Sequence, residues 1–325
     1  MKGIKRVRVS NRVAKYDFEL SRNITIVRGD SGTGKSTLFN MVLDYTRNGE
    51  KSGINLSAPC DCVAVYSDWK QQLKSINNSI IFIDEDYHND FLKTKDFAKY
   101  VQKSDNYFVL FTREDLHELP YSIDEIYSIK MSGKYHRFEK IYKNSSGNGF
   151  YHEKTPNKEF KTVLTEDSKA GYQFFKGAFE EKGVDCLAAG TNSKIYSSIK
   201  SATDKLFIIA DGAAFGAEVD RVLKLEKSGY DFSLFLPESF EWLILKSGLI
   251  KDVEDVLDNP AEYIESRDYV SWERFFTALL IERSKEGYLA YKKAKLNPNY
   301  LHEKEKNAIL ALLPKYEKMI NETPE

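Results

Sequence analysis

The chain has 325 residues, of which 42% are hydrophobic and 30% are charged, and its formal net charge is −1. Its length allows two domains of ordinary size, and its composition excludes a disordered chain. The net charge excludes a polycation that coats nucleic acid by charge alone, and three cysteines are too few for a disulfide framework. No apolar run has membrane-spanning length and no signal peptide is recognisable, so the sequence predicts a cytoplasmic protein with no membrane partner.

Residues 1–143 predict an α/β domain with a largely parallel sheet. A hairpin is expected over residues 4–20, followed by an apolar strand at 23–27 and a helix at 35–45. Further short apolar runs are separated by helix-compatible or loop sequence, which is typical of parallel strands with helices on both faces of the sheet. These runs lie at residues 62–66, 80–84, 107–112 and 125–130, and an edge strand is expected at 135–142.

The second half of the chain predicts a linker, a smaller domain and a helical end. Residues 144–158 are polar and glycine-rich, as expected of a linker. Residues 159–250 alternate strands with helices again and predict a second doubly wound domain. Its strands are expected at 160–165, 184–189, 206–210 and 231–236. Residues 251–325 contain no convincing strand, and apolar residues at helical spacing predict a helical region that packs on the second domain.

A glycine-rich segment follows the strand at 23–27 and precedes the predicted helix. Its spacing, in this strand-to-helix context, is typical of loops that bind nucleotide phosphates through backbone N–H groups and a helix N-terminus. Lys35 is expected to reach the β- and γ-phosphates, and the Ser36 hydroxyl to bind Mg²⁺. The sequence therefore predicts ATP or GTP with Mg²⁺ as cofactors. The nucleotide-binding segment comprises Gly29, Asp30, Ser31, Gly32, Thr33, Gly34, Lys35, Ser36 and Thr37.

Two acidic residues, Asp84 and Glu85, end the apolar run at 80–84. A buried parallel strand would place them beside the phosphate loop, because parallel strands end at one edge of the sheet. Asp84 is expected to join Ser36 in binding Mg²⁺, and Glu85 to orient and deprotonate the attacking water. A Glu directly after the Asp favours hydrolysis, so Lys35 and Glu85 are the predicted catalytic residues of this domain.

These motifs resemble the Walker A and Walker B motifs of ATP-binding-cassette and related additional-strand P-loop ATPases, over about residues 4–143. The resemblance implies a P-loop NTPase domain. Independently of it, Thr112 or Arg113, at the end of the strand at 107–112, is positioned to sense the γ-phosphate. The Leu-Ser-Gly-Gly-Gln signature of the cassette families is absent from the chain. Self-association through a shared nucleotide is therefore left open.

Two acidic residues also end strands of the second domain: Glu166 follows its first strand and Asp211 its third. Carboxylates at this edge of an open parallel sheet can hold Mg²⁺ for phosphodiester chemistry, so Glu166 and Asp211 are predicted catalytic and metal-binding residues. The order of acids, strands and helices resembles the Toprim domain of topoisomerases, primases and OLD-family nucleases. OLD-family proteins also join a P-loop ATPase to a Toprim domain, and some such chains act in defence against phage.

Toprim domains usually carry Asp-x-Asp at the third strand, whereas this chain has Asp211 followed two residues later by Ala213. Asp167 and Glu218 are nearby acids that would have to supply the lost ligand. Two interpretations remain open: a metal-dependent nuclease whose ATPase controls action on nucleic acid, or a nucleotide-gated sensor whose dead Toprim-like domain binds a protein partner. A third interpretation, a small-molecule kinase, requires an acceptor pocket in the second domain.

Overall fold

The structure is a computed structural model that describes residues 1–87, 90–143, 147–156 and 159–315. The chain forms two compact units. Unit 1 comprises Met1–Tyr142 and Asn259–Ser271, and unit 2 comprises Lys143–Asp258 and Trp272–Glu325. Within the described residues, unit 1 contains a nine-stranded sheet and unit 2 a five-stranded sheet. The expected mixed α/β fold with a second, smaller sheet is confirmed.

The strands of unit 1 are β1 Lys5–Ser10, β2 Lys15–Leu20, β3 Ile24–Arg28, β4 Asn55–Ser57, β5 Cys62–Ala64, β6 Ile80–Asp84, β7 Tyr107–Phe111, β8 Ile126–Ser132 and β9 Tyr135–Lys140. Its helices are α1 Lys35–Asn48, α2 Trp69–Gln72 and α3 Lys95–Lys103, with 3₁₀ turns at Gly49–Ser52, Asp90–Lys93, Ile123–Glu125 and Pro260–Glu262. The strand order is β4-β1-β2-β9-β8-β3-β7-β6-β5. Strands β8, β3, β7, β6 and β5 are parallel to one another.

The centre of this sheet is formed by β3, β7 and β6, which are buried along their whole length. Such continuous burial is expected of parallel strands that are covered on both faces. One face packs with Leu38 and Phe39 of α1 in a core that also contains Val27, Phe82 and Phe111. Because β3, β6 and β7 run in the same direction, their carboxyl ends and the residues that follow them share one edge of the sheet.

Unit 2 contains strands β10 Phe150–Glu153, β11 Thr162–Thr165, β12 Asp185–Ala188, β13 Leu206–Ile209 and β14 Phe232–Leu236. Its helices are α4 Ala170–Glu180, α5 Asn192–Ser201, α6 Val219–Lys227, α7 Phe240–Lys246, α8 Glu254–Asp258, α9 Trp272–Ser284 and α10 Glu303–Leu310, with 3₁₀ turns at Gly212–Ala214 and Pro298–Leu301. The strand order is β10-β14-β13-β11-β12, and only β10 is antiparallel to its neighbour.

The order in which the chain adds parallel strands to this sheet reverses between β11 and β13. The chain passes from β11 to β12 on one side, then returns past β11 to β13 and continues to β14. In doubly wound sheets, the crevice outside such a reversal is where ligands bind. One face of the sheet packs Phe207 and Ile209 of β13 against apolar residues of α4, α7 and α9.

The predicted linker at 144–158 is wrong in its middle part. Strand β10 pairs Phe150 with Leu236 and Glu153 with Ser233 of β14. The glycine signal ends at Gly149, and the aromatic residues that follow it add an edge strand to the sheet: Phe150 is only 9% exposed. Residues 144–146, 157 and 158 of the predicted linker lie outside the described part of the chain.

The predicted helical region at 251–325 is also divided differently from the expectation. Helices α9 and α10 belong to unit 2, whereas Asn259–Ser271 belongs to unit 1. The Gly3 N–H donates to the Ala261 carbonyl at 2.7 Å, and the Ser266 N–H donates to the Met1 carbonyl at 3.0 Å. The prediction that this whole region packs on the second domain is therefore wrong for these thirteen residues.

Candidate functional site

The glycine-rich segment of unit 1 forms a tight loop between β3 and α1. Gly29, Gly32 and Gly34 have φ angles of 140°, 82° and 93°, a region that favours glycine. A Cβ on Gly34 would lie 2.9 Å from the Tyr16 hydroxyl and 3.3 Å from the His136 ring, so this position excludes a side chain on two grounds. Helix α1 begins at Lys35 and runs for 14 residues, which places a helix N-terminus at the end of the loop.

Lys35 is folded back onto this loop. Its ammonium contacts the Gly29 carbonyl and donates to the Asp30 carbonyl at 3.0 Å. Burial lowers the pKa of Lys35, and the neighbouring Arg113 lowers it further, whereas Asp84 acts in the opposite direction. The loop carbonyls therefore surround the ammonium in place of bulk water. A phosphate group is a stronger acceptor and can replace them.

Asp84 lies at the carboxyl end of β6, on the same sheet edge as the loop. Its side chain is 4% exposed, and its carboxylate accepts from the Asp86 N–H at 3.1 Å. Burial raises the pKa of Asp84, while the positive charge of Lys35 lowers it. Ser36 is exposed in the first turn of α1. A buried carboxylate and an exposed hydroxyl at one edge are hard oxygen ligands of the kind that Mg²⁺ takes, so the residues present fit the predicted ion.

Glu85 is fixed at the end of β6 by the end of β7. The Thr112 hydroxyl donates to one carboxylate oxygen at 2.6 Å, and the Arg113 N–H donates to the other at 2.6 Å. The Glu85 N–H donates in turn to the Phe111 carbonyl at 3.1 Å. The two residues predicted to sense the γ-phosphate are thus brought to the predicted base. The guanidinium of Arg113 also donates to the Ser31 hydroxyl at 3.3 Å, which joins this group to the loop.

Three further residues that contact this region have no signal in the sequence motif. The Tyr16 hydroxyl donates to the Gly34 carbonyl at 2.9 Å, and His136 stacks on the Tyr16 ring with centroids 4.4 Å apart. Burial raises the pKa of Tyr16 to about 12. Arg28, directly before the loop, donates to Asp115 at 2.7 Å. Tyr16 and His136 come from strands β2 and β9, where alternation predicts only a core or surface position.

In unit 2, the structure brings Glu166 and Asp211 together at the reversal between β11 and β13. The Asp211 N–H donates to Glu166 Oε2 at 3.1 Å, and the Phe240 N–H donates to Asp211 Oδ1 at 3.3 Å. Burial is the main cause that raises the pKa of Glu166 to about 7, and it raises the pKa of Asp211 as well. The nearby carboxylate of Glu273 raises both pKa values further.

The same cleft contains a positive charge that the sequence does not predict. Lys293 Nζ lies 3.6 Å from Glu241 Oε1 and contacts Glu273, and the Tyr291 hydroxyl donates to Glu241 at 2.8 Å. Burial lowers the pKa of Lys293, but the neighbouring carboxylates outweigh this and raise it overall. A cavity of about 30 Å³, which is large enough for a water molecule or an ion, is lined by Glu166, Asp211, Glu241, Tyr291 and Lys293 among others.

Of the two acids expected to replace the lost Toprim ligand, Asp167 lines the cavity and Glu218 does not. Asp167 accepts from the Lys169 N–H at 3.0 Å, immediately before α4, and Glu218 forms an ion pair with Arg221. Among the described residues, no group of three or more His, Cys, Asp or Glu side chains is arranged to hold a metal ion. With a lysine ammonium already among its carboxylates, the cleft does not fit a resident divalent ion.

Comparison of the chain with protein-family models, curated proteins and solved structures gives no match in any of the three. In the part of the chain that the structure describes, no helix combines the length and the apolar character needed to cross a bilayer.

Proposed function

We propose that unit 1 binds ATP or GTP with Mg²⁺ and hydrolyses it. The observation that carries this proposal is the shared sheet edge at which the glycine loop with Lys35 meets Asp84 and Glu85. A loop with three glycines at positive φ, followed at once by a helix N-terminus, is suited to phosphate oxygens. At the same edge, Asp84 would supply a ligand to Mg²⁺ and Glu85 the base, and hydrolysis requires both in addition to nucleotide binding.

Binding begins with an exchange of partners at Lys35. In the structure its ammonium is held by the carbonyls of Gly29 and Asp30. A triphosphate offers anionic acceptors in their place, and an ammonium bonded to an anionic oxygen gains a Coulomb attraction that a neutral carbonyl does not provide. Ser36 and Asp84 would hold Mg²⁺, which, when bound, neutralises charge on the phosphates.

Glu85 is the group that accepts a proton from water. Both of its oxygens are engaged, one by the Thr112 hydroxyl and the other by the Arg113 N–H. These donors hold the carboxylate in one orientation, and each oxygen retains a second lone pair for a water molecule. Thr112 and Arg113 thus act as positioning residues for Glu85.

The test is phosphate release by the full chain and by Lys35→Ala. We expect the variant to lose turnover by about 10²–10³-fold, because it lacks the ammonium that lies against the loop carbonyls. The control is Lys70→Ala, which removes an exposed lysine of unit 1 that pairs with Asp96 at 2.9 Å. Turnover by Lys35→Ala at the parent rate would refute the proposal, and a parallel assay with ATP and GTP identifies the nucleotide.

For unit 2 we propose an effector role that the nucleotide state of unit 1 controls. Two versions differ in chemistry: action on nucleic acid as a nuclease, or binding of a protein partner by a domain that does not cleave. Lys293 among the cleft carboxylates favours the second version, because an ammonium there opposes binding of the divalent ion that cleavage requires.

Plasmid nicking in Mg²⁺ or Mn²⁺ separates the two versions of the effector role. We expect no nicking above background by the parent chain, and no change in Glu166→Ala or Asp211→Ala. Metal-dependent nicking that either substitution abolishes would establish the nuclease version and exclude the other.

A further inference from the structure

The cleft of unit 2 contains an internal cation whose partners are all acids. Lys293 contacts Glu273, lies 3.6 Å from Glu241, and is 27% exposed. It follows α9 in the chain, whereas Glu241 belongs to α7 and Glu273 to the first turn of α9. Three separate segments thus converge on one charge, and this arrangement is independent of the nucleotide site of unit 1.

Each acid of the cleft already has a protein donor. Glu166 accepts from the Asp211 N–H, Asp211 from the Phe240 N–H, and Glu241 from the Tyr291 hydroxyl. Glu273 is satisfied by Lys293. Buried carboxylates need compensation by donors or by positive charge, and here the protein supplies both.

A divalent ion entering this cleft would meet the ammonium at short range. The repulsion between like charges is strong in a partly buried site, because screening by water is weak there. The carboxylates that could offset this repulsion already accept hydrogen bonds from Lys293, from backbone N–H groups and from a tyrosine hydroxyl. A lysine on a flexible stem is therefore a competitor for the ion, and it has the advantage of being tethered.

We propose that Lys293 is a tethered cation that takes the place of a divalent metal ion in the cleft of unit 2. In this chain the site at the sheet reversal is complete without metal. Loss of the Lys293 charge leaves these carboxylates without their cation, and a rearrangement of their side chains would let a divalent ion take its place. The inference does not depend on nucleotide binding or hydrolysis by unit 1.

The experiment compares Mn²⁺ binding by the nucleotide-free full chain and by Lys293→Met, using electron paramagnetic resonance of free Mn²⁺. Met keeps most of the side-chain volume and removes the charge. We expect Lys293→Met to bind about one Mn²⁺ more than the parent, and its Tm to rise by several degrees at Mn²⁺ about a hundredfold above Kd. Adding Asp211→Asn to Lys293→Met should abolish both effects.

Two controls isolate the charge at this position. Lys306→Met removes a unit 2 lysine that pairs with Glu181 at 2.5 Å outside the cleft, and we expect no gain of Mn²⁺. Lys293→Arg retains a cation, so it should bind no more Mn²⁺ than the parent. A folded Lys293→Met with parental Mn²⁺ binding would overturn the proposal.

The proposal can also be tested if Lys293→Met fails to fold. If Lys293→Met folds only when Mn²⁺ or Mg²⁺ is present, the ion has replaced the lysine and the proposal is supported. If it folds in neither condition, the parent chain decides: Mn²⁺ bound by the parent and lost in Asp211→Asn overturns the proposal, and equal Mn²⁺ binding by these two proteins supports it.

Discussion

Glu85 depends for its orientation on two short hydrogen bonds, from the Thr112 hydroxyl and the Arg113 N–H. We expect Glu85→Gln to keep nucleotide and Mg²⁺ bound but to slow hydrolysis by about 10²–10⁴-fold, since the amide cannot accept the proton. Single-turnover hydrolysis and nucleotide binding, measured on the same preparation, check this. Parental turnover in the variant would assign the base to another residue.

Glu153 in unit 2 predicts a pH dependence of stability. Burial raises its pKa, but hydrogen bonds from Lys205 and Lys315 prevail and lower it to about 2, against 4.5 for the ordinary group. A depressed pKa contributes stability above pH 4.5, and this is lost as the pH falls through 2. The contribution at neutral pH is about 3 kcal/mol in the free energy of unfolding.

Glu153→Gln should therefore be less stable than the parent at pH 7 and should approach it near pH 2. Denaturant unfolding across this range gives the comparison. The control is Glu181→Gln, whose carboxylate is 69% exposed and pairs with Lys306, and which should change stability little. A constant difference between parent and Glu153→Gln at all pH values would contradict the assignment.

In the loop between β3 and α1, the energetic cost of an unfavourable backbone conformation can be measured separately from the cost of a steric clash. Gly34→Ala meets both a φ of 93° and the Tyr16 hydroxyl at 2.9 Å, whereas Gly32→Ala meets a φ of 82° and nothing within 4 Å. We expect about 1 kcal/mol of destabilisation for Gly32→Ala and about 2–3 kcal/mol for Gly34→Ala.

Thermal unfolding of the two variants checks this ranking. Gly34→Ala combined with Tyr16→Phe should recover part of the loss, because the substitution removes the atom that a Cβ would meet. Equal losses for Gly32→Ala and Gly34→Ala would show that only the backbone angle matters at this end of the loop.

Elements with a strong local signal could be predicted from the sequence. Strands β3, β6 and β7 are predominantly apolar, and the glycine-rich loop is contiguous, so its residues need no tertiary information. Strand β10 escaped prediction because four residues behind a glycine-rich stretch carry too short a pattern, and its stability comes from pairing with β14. Lys293 escaped for a related reason: it lies 82 residues after Asp211, and no spacing links them.

At the scale of the molecule, unit 1 is made from two separate stretches of chain. Ile264, in the second stretch, is 4% exposed, whereas the adjacent Tyr263 is 46% exposed. We expect Ile264→Ala to lower the free energy of unfolding by about 2–5 kcal/mol and Tyr263→Ala to change it little. The loss should fall on the thermal transition that Mg²⁺ and nucleotide are expected to shift upward, because Ile264 belongs to unit 1, for which nucleotide binding is proposed.

Calorimetry of the full chain, with and without nucleotide, distinguishes the thermal transition that nucleotide shifts from the transition that it does not shift. The same scan on Tyr263→Ala controls for the change of chain composition. If Ile264→Ala instead lowers the transition that does not respond to nucleotide, the thirteen residues would belong energetically to unit 2.

Because unit 1 consists of two separate stretches of chain, its last part is synthesised long after its first part. The ribosome must add 129 further residues (271 minus 142) after Tyr142 before the last part of unit 1 exists. At 5–20 residues per second this takes roughly 6 to 26 seconds. During that interval the nascent chain contains all nine described strands of the unit 1 sheet but not Asn259–Ser271, so unit 1 remains incomplete and accessible to chaperones while unit 2 is still being made.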